Sequence, residues 1–265
     1  MRPFYVPKSQ AIKAEWKHLN DQRMSSIYIG CSLLLSVLVL FADLVFAQLS
    51  TSTFVLSGRV IWLHTALLIP ILVLAAASSV TVDRNNGTLR AVLTLALSAP
   101  ELVRTKLCAL MIWAFIAKIA MLSPLILASP WLNHTGELSL LTCLAQCILS
   151  WVADGLLITI ALTFSCISAR EGVVLICTLS VLTVDLIARM LLNAFPWTID
   201  PELASVITPL LEFAATITPG AALNSWDILD ESWQWYLPVT LITWVLISNH
   251  MLTKCATNLC LPAEK

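Results

Sequence analysis

The sequence predicts an all-α integral membrane protein with six transmembrane helices, and three observations carry that expectation. The chain is 58% hydrophobic and only 12% charged, about half the charged share of a soluble domain. Six stretches are long and apolar enough to cross a hydrocarbon core, which takes about 20 residues of helix: Ile27 to Leu49, Val60 to Val82, Leu107 to Ala128, Leu138 to Ile167, Gly172 to Leu192 and Tyr236 to Leu252. The cationic residues of the connections then fall almost entirely on one side. The six stretches fill most of the 265 residues, leaving no room for a soluble catalytic domain, so residues 1–265 read as one transmembrane domain.

Before the first stretch, within residues 1–26, Ile12, Trp16 and Leu19 recur at helical spacing while Lys13, Lys17, Asp21 and Arg23 lie elsewhere around the wheel. That pattern suits an interfacial helix in the headgroup plane; the plainer alternative is a basic, loosely ordered N-terminus. A cleaved signal peptide is not expected, because the cationic region is long and the apolar run behind it has spanning length.

Between the second and third stretches lies a polar island, residues 83–106. Asp83 and Arg84 open it, Gly87 can break the helix leaving the second span, Thr88 can cap the next, and Ser98 with Glu101 has the spacing of a capping box. Two short helices joined at Leu97 are expected. Leu89, Val92, Leu93 and Leu97 give this island an apolar face that a loop alone cannot bury, which invites a protein partner or the membrane surface.

Orientation follows from Lys and Arg, which are retained on the cytosolic side. The N-terminal segment carries five, the island four (Arg84, Arg90, Arg104, Lys106), the turn after the fourth span Arg170, and the tail, 253–265, Lys254 and Lys265; the opposite connections carry only Arg59. Both termini are expected in the cytosol. The longest outer connection, 193–235, is acidic and broken by Pro201, Pro209 and Pro219, with Trp226, Trp233, Trp235 and Tyr236 at its end. It can form short outer helices or an ordinary cap.

Five charges fall inside the spans: Asp43, Lys118, Asp154, Asp185 and Arg189. Each is expensive in lipid and faces a partner or a water-filled path. At 1.5 Å per residue, Lys118, Asp154 and Asp185 lie about 17 to 20 Å from the cytosolic ends of their helices, while Asp43 and Arg189 lie about 24 to 26 Å up. Helix-pinning ion pairs, a polar substrate path and a proton relay all remain open. The eight cysteines form no CxxC or Cys/His cluster, so they read as small apolar residues and no metal site is expected. No catalytic residues are expected either, since His-Glu-x-x-His and Gly-x-Ser-x-Gly are absent and His18, His64, His134 and His250 fall at different depths. Nothing gathers into a basic patch, so nucleic acid is not an expected partner.

The run Asp83-Arg84-x-x-Gly87-Thr88-Leu89-x-x-Val92-Leu93, then Leu97-Ser98-x-x-Glu101 and Lys106, resembles the cytoplasmic loop of ABC-2 type permeases, and Ile12-x-x-Glu15-Trp16-x-x-Leu19 is similar to their opening helix. The resemblance implies a non-catalytic permease subunit of a bacterial inner-membrane exporter, pairing with a second permease copy and docking two ATPase subunits through the 83–106 coupling loop. ATP and Mg would belong to the ATPase, a separate chain, since this sequence has no G-x-x-x-x-G-K-[ST]. The resemblance also implies a partly re-entrant outer segment before the last span and an amphipathic, peptide or lipid-like cargo. The alternative is a secondary transporter or channel that uses the intramembrane Asp, Lys and Arg residues for ion coupling, which predicts paired broken helices in two repeats; no such repeat is visible.

Overall fold

A computed structural model of the chain describes residues 8–21, 24–46, 53–87, 98–128, 140–194, 236–257 and 259. The described residues form helices and no strand: α1 (Lys8–Asp21), α2 (Met24–Phe46), α3 (Thr53–Asn85), α4 (Ala99–Ala128), α5 (Leu140–Ile167), α6 (Glu171–Ala194) and α7 (Tyr236–Thr257). Four stretches are long and apolar enough to cross a bilayer: Ser26–Phe46, Leu67–Asn85, Ala99–Ala128 and Cys143–Ile167. By length and composition this is a helical membrane protein. Helices α6 and α7 cover the fifth and sixth expected stretches, and within α6 the described apolar length is Glu171–Val181.

Two helices run longer than their apolar windows. Arg59 interrupts the hydropathy of the second stretch but not its helix, so α3 starts at Thr53 and continues through Pro70. Its end is set by Gly87, whose φ of 73° is the left-handed conformation that terminates helices, with the Gly87 N–H donating to the Arg84 carbonyl at 3.3 Å. Likewise α4 begins at Ala99, not Leu107. The second of the two expected short helices is therefore not separate: residues up to Lys106 form the first turns of the helix that continues as the third apolar stretch. The capping box explains the start. The Ser98 hydroxyl and N–H donate to Glu101 Oε2 at 2.7 and 3.1 Å, and the Ser98 carbonyl accepts from the Leu102 N–H at 2.9 Å. The first short helix, with Thr88, Leu89 and Leu93, lies outside the described residues, as does most of the 193–235 segment.

The bundle is centred on α3, α4 and α5. Helix α5 packs against α3, α4 and α7, α2 lies along α4 and α3, and α1 rests mainly on α4. Because lipid tails are as apolar as leucine, helices associate through close packing and not through burial from water. Small residues supply it: Ala75, Ala76 and Ala77 on α3, Ala109, Ala114 and Ala117 on α4, and Ala153 and Ala161 on α5 are all buried. Hydroxyls of Ser78, Ser79, Thr159 and Ser165 donate back to carbonyls three or four residues earlier, which satisfies them without a partner helix. Helix α2 is peripheral, with 17% of its spanning window buried against 61% in α3 and α5; Leu34, Leu38, Phe41 and Val45 form its exposed apolar face.

Candidate functional site

Two polar clusters stand out. The first ties three helices at one end of the bundle. Lys106, about two turns into α4, has a fully buried side chain, and its Nζ donates to Glu15 Oε1 of α1 at 2.8 Å and to Asp83 Oδ2 of α3 at 2.7 Å. Sequence reasoning selected all three residues separately, and the structure brings them to one nitrogen. Neighbouring contacts fasten the same end: the Thr81 hydroxyl donates to Glu171 Oε1 at 3.0 Å, Asn85 Nδ2 to the Ala169 carbonyl at 3.4 Å, and an Arg104 guanidinium nitrogen to Thr253 Oγ1 at 3.4 Å. Arg84 is half-buried beside them.

Helix α1 packs against the bundle. Leu19 is buried, Trp16 packs against the main core, and Ile12 and Glu15 are half-buried, while Lys13 and Lys17 point outward. Its apolar stripe is thus turned onto α4 and α2, and the Lys106–Glu15 contact locks its rotation.

The second cluster lies deeper, between two apolar layers. One layer contains Leu110, Trp113, Ala117 and Leu157; the other contains Leu56, Ile61, Met121 and Leu125. Between them Lys118, 1% exposed at its side chain, lies 3.0 Å from Asp154 Oδ2, 2.6 Å from Ser150 Oγ and 3.2 Å from His64 Nδ1. His64 Nε2 is 3.1 Å from Ser32 Oγ, whose hydroxyl donates to the Tyr28 carbonyl at 2.8 Å. The Tyr28 ring stacks at a tilt on Trp113, centroids 4.8 Å apart, and meets His64 edge-on at 5.3 Å. Four helices contribute. Further along, Ser57 of α3 donates to Gln146 of α5.

Of the five charges singled out within the spans, Lys118 and Asp154 form a pair. Asp43 is buried on α2, and Asp185 and Arg189 belong to α6 but their side chains lie outside the described residues. Sequence reasoning missed His64, Ser32, Ser150 and Tyr28. Their signal was a polar stripe at helical spacing: Tyr28, Ser32 and Ser36 on α2, and Gln146, Ser150 and Asp154 on α5, recur every four residues. Among the described residues, Cys143, Cys147 and Cys166 are buried, and no three His, Cys, Asp or Glu side chains gather as metal ligands.

No protein-family model matches the chain, and no curated protein matches it. The clusters therefore have to be read from their own chemistry.

Proposed function

We propose that the chain is the membrane-spanning permease subunit of an ATP-driven exporter, with six spans, both termini in the cytosol of a bacterium, and a second copy of itself as partner. Two ATPase subunits dock on the 83–106 loop, bring ATP and Mg with them, and drive an amphipathic compound, peptide or lipid-like cargo outward. The observation that carries the reading is the Lys106 bridge. A loop that receives force must be anchored at both ends to the spans it moves. Here Asp83 stands where the loop leaves α3, Lys106 lies just past where it enters α4, and one ammonium joins them to each other and to α1. The Gly87 turn and the Ser98–Glu101 cap fix the loop's two ends in addition.

The test is co-expression with a candidate ATP-binding-cassette ATPase from the same genome. Glu101→Lys and Leu93→Asp should reduce both co-purification of the ATPase and its stimulated hydrolysis, whereas unchanged association in both variants would overturn the dock. The Lys118 cluster favours a second reading, ion-coupled transport without an ATPase. That reading expects cation-driven flux in vesicles containing this chain alone.

A further inference from the structure

The hydrogen-bond polarity of the deep cluster can be assigned without reference to what the protein transports. A serine hydroxyl carries one proton, and Ser32 gives its proton to the Tyr28 carbonyl. Ser32 Oγ must then accept from His64, which puts the imidazole proton on Nε2 and leaves Nδ1 as an acceptor. Lys118 faces Nδ1, Ser150 Oγ and the Asp154 carboxylate. An ammonium has three donors, and three acceptors surround it. With Lys118 charged, His64 neutral and Asp154 ionised, the ammonium faces three acceptors and the net charge in this apolar layer is zero, although the buried Tyr28 hydroxyl and Asp154 Oδ2 make no hydrogen bond among the described residues.

A second cation does not fit. Placing a proton on His64 Nδ1 would set an imidazolium 3.2 Å from the Lys118 ammonium with one carboxylate to balance both. From this we infer that Tyr28, Ser32, His64, Lys118, Ser150 and Asp154 form a binding site for a single proton, whose positive charge is carried by either Lys118 or His64 opposite Asp154. When Lys118 gives its proton along the Nζ–Nδ1 contact, an amine and an imidazolium remain, and the total charge is unchanged. Because Nδ1 and the Asp154 carboxylate both touch one nitrogen, they are no more than about 6 Å apart, close enough for the carboxylate to favour a charged imidazole.

Other titratable groups at the site are few. Helix α2 brings the Tyr28 phenol, and α5 brings the Cys147 thiol, 3.8 Å from the Lys118 carbonyl. Helix α3 brings Arg59, exposed and about 8 Å from His64 along the helix, whereas Lys106, with its two carboxylates, is about 18 Å away along α4 and Asp43 about 16 Å from Ser32 along α2.

The experiment removes the first carrier and asks whether the second takes over. In Lys118→Met, Asp154 loses its cation and Nδ1 loses its donor. The imidazole can then take a proton from water and donate Nδ1–H towards Asp154 while keeping Nε2–H on Ser32. The full-length variant in nanodiscs should melt well below the wild type at about pH 8 and regain most of that loss by about pH 5, the interval in which histidines charge. Lys118→Met/His64→Gln should not regain it over that interval, and Lys118→Met/Asp154→Asn should melt near the wild type at both pH values. Equal recovery with and without His64 would mean that Asp154 takes the proton alone, and no recovery would mean that no second carrier exists; either overturns the site. If Lys118→Met does not accumulate, nitrogen-15 histidine spectra of the wild type decide. The resonance lost in His64→Gln should carry the Nε2–H tautomer at about pH 7; an Nδ1–H tautomer there overturns the assignment.

Discussion

Replacing Lys106 with methionine keeps the length and apolar stem of the side chain but removes the charge that two carboxylates share. In the protein the ammonium is fully buried, with Glu15 at 2.8 Å and Asp83 at 2.7 Å. Removing one partner of a fully buried ion pair costs about 3 to 5 kcal/mol, because the remaining charge is left without compensation. Here the carboxylates keep 16% and 20% of their exposure, so water relieves part of that cost and about 2 to 3 kcal/mol remains. At about 2 to 4 °C per kcal/mol, the melting temperature should fall by about 4 to 12 °C. Size-exclusion recovery after heating in detergent reads the shift directly. A companion variant separates charge from packing: Lys106→Met combined with Glu15→Gln and Asp83→Asn leaves no uncompensated charge and should recover most of the loss. A Lys106→Met protein melting within about 2 °C of the wild type would refute the reasoning, since the bridge would then contribute nothing that water does not replace.

Three further outcomes follow from local geometry, each read by the same heating assay. Gly87→Ala should cost about 1 to 2 kcal/mol, because a φ of 73° is strained for any residue with a Cβ. Ser98→Ala should cost about 1 kcal/mol through loss of the cap, and Glu101→Gln should be milder because an amide oxygen still accepts from Ser98. Gly155→Ala should be close to neutral: its new Cβ would meet Met111 Sδ at 2.7 Å, but a thioether can swing aside. Gly155→Ile should lose about 1 to 3 kcal/mol by forcing α4 and α5 apart.

The two ends of the coupling loop show what the sequence could and could not reveal. Gly87 and the Ser98–Glu101 pair act locally, so their roles as helix stop and start were legible from residue type and spacing. Lys106, Glu15 and Asp83 were each visible as motif members, but their meeting depends on how α1, α3 and α4 pack, which no local pattern encodes. Helix α1 makes the same point: its apolar stripe was legible, but whether lipid or α4 covers it was not. Counting turns placed Lys118 level with both Asp154 and Asp185, and the packing of α4 on α5 brings Asp154 to it. His64 escaped because it was compared only with the other histidines, which fall at different depths, and not with Lys118. A lysine side chain reaches far enough to join groups a full turn apart. The lengths of α3 and α4 were underestimated for a related reason, since single charges such as Arg59 and Glu101 end an apolar window without ending a helix.

The central claim, that this chain is half of a permease pair driven by separate ATPases, is tested most directly by native mass spectrometry of the complex purified from cells co-expressing a candidate ATP-binding-cassette ATPase. The account predicts two copies of this chain with two ATPase subunits, and loss of the ATPases in Glu101→Lys. A chain that remains without ATPase and supports cation-driven flux by itself would contradict it.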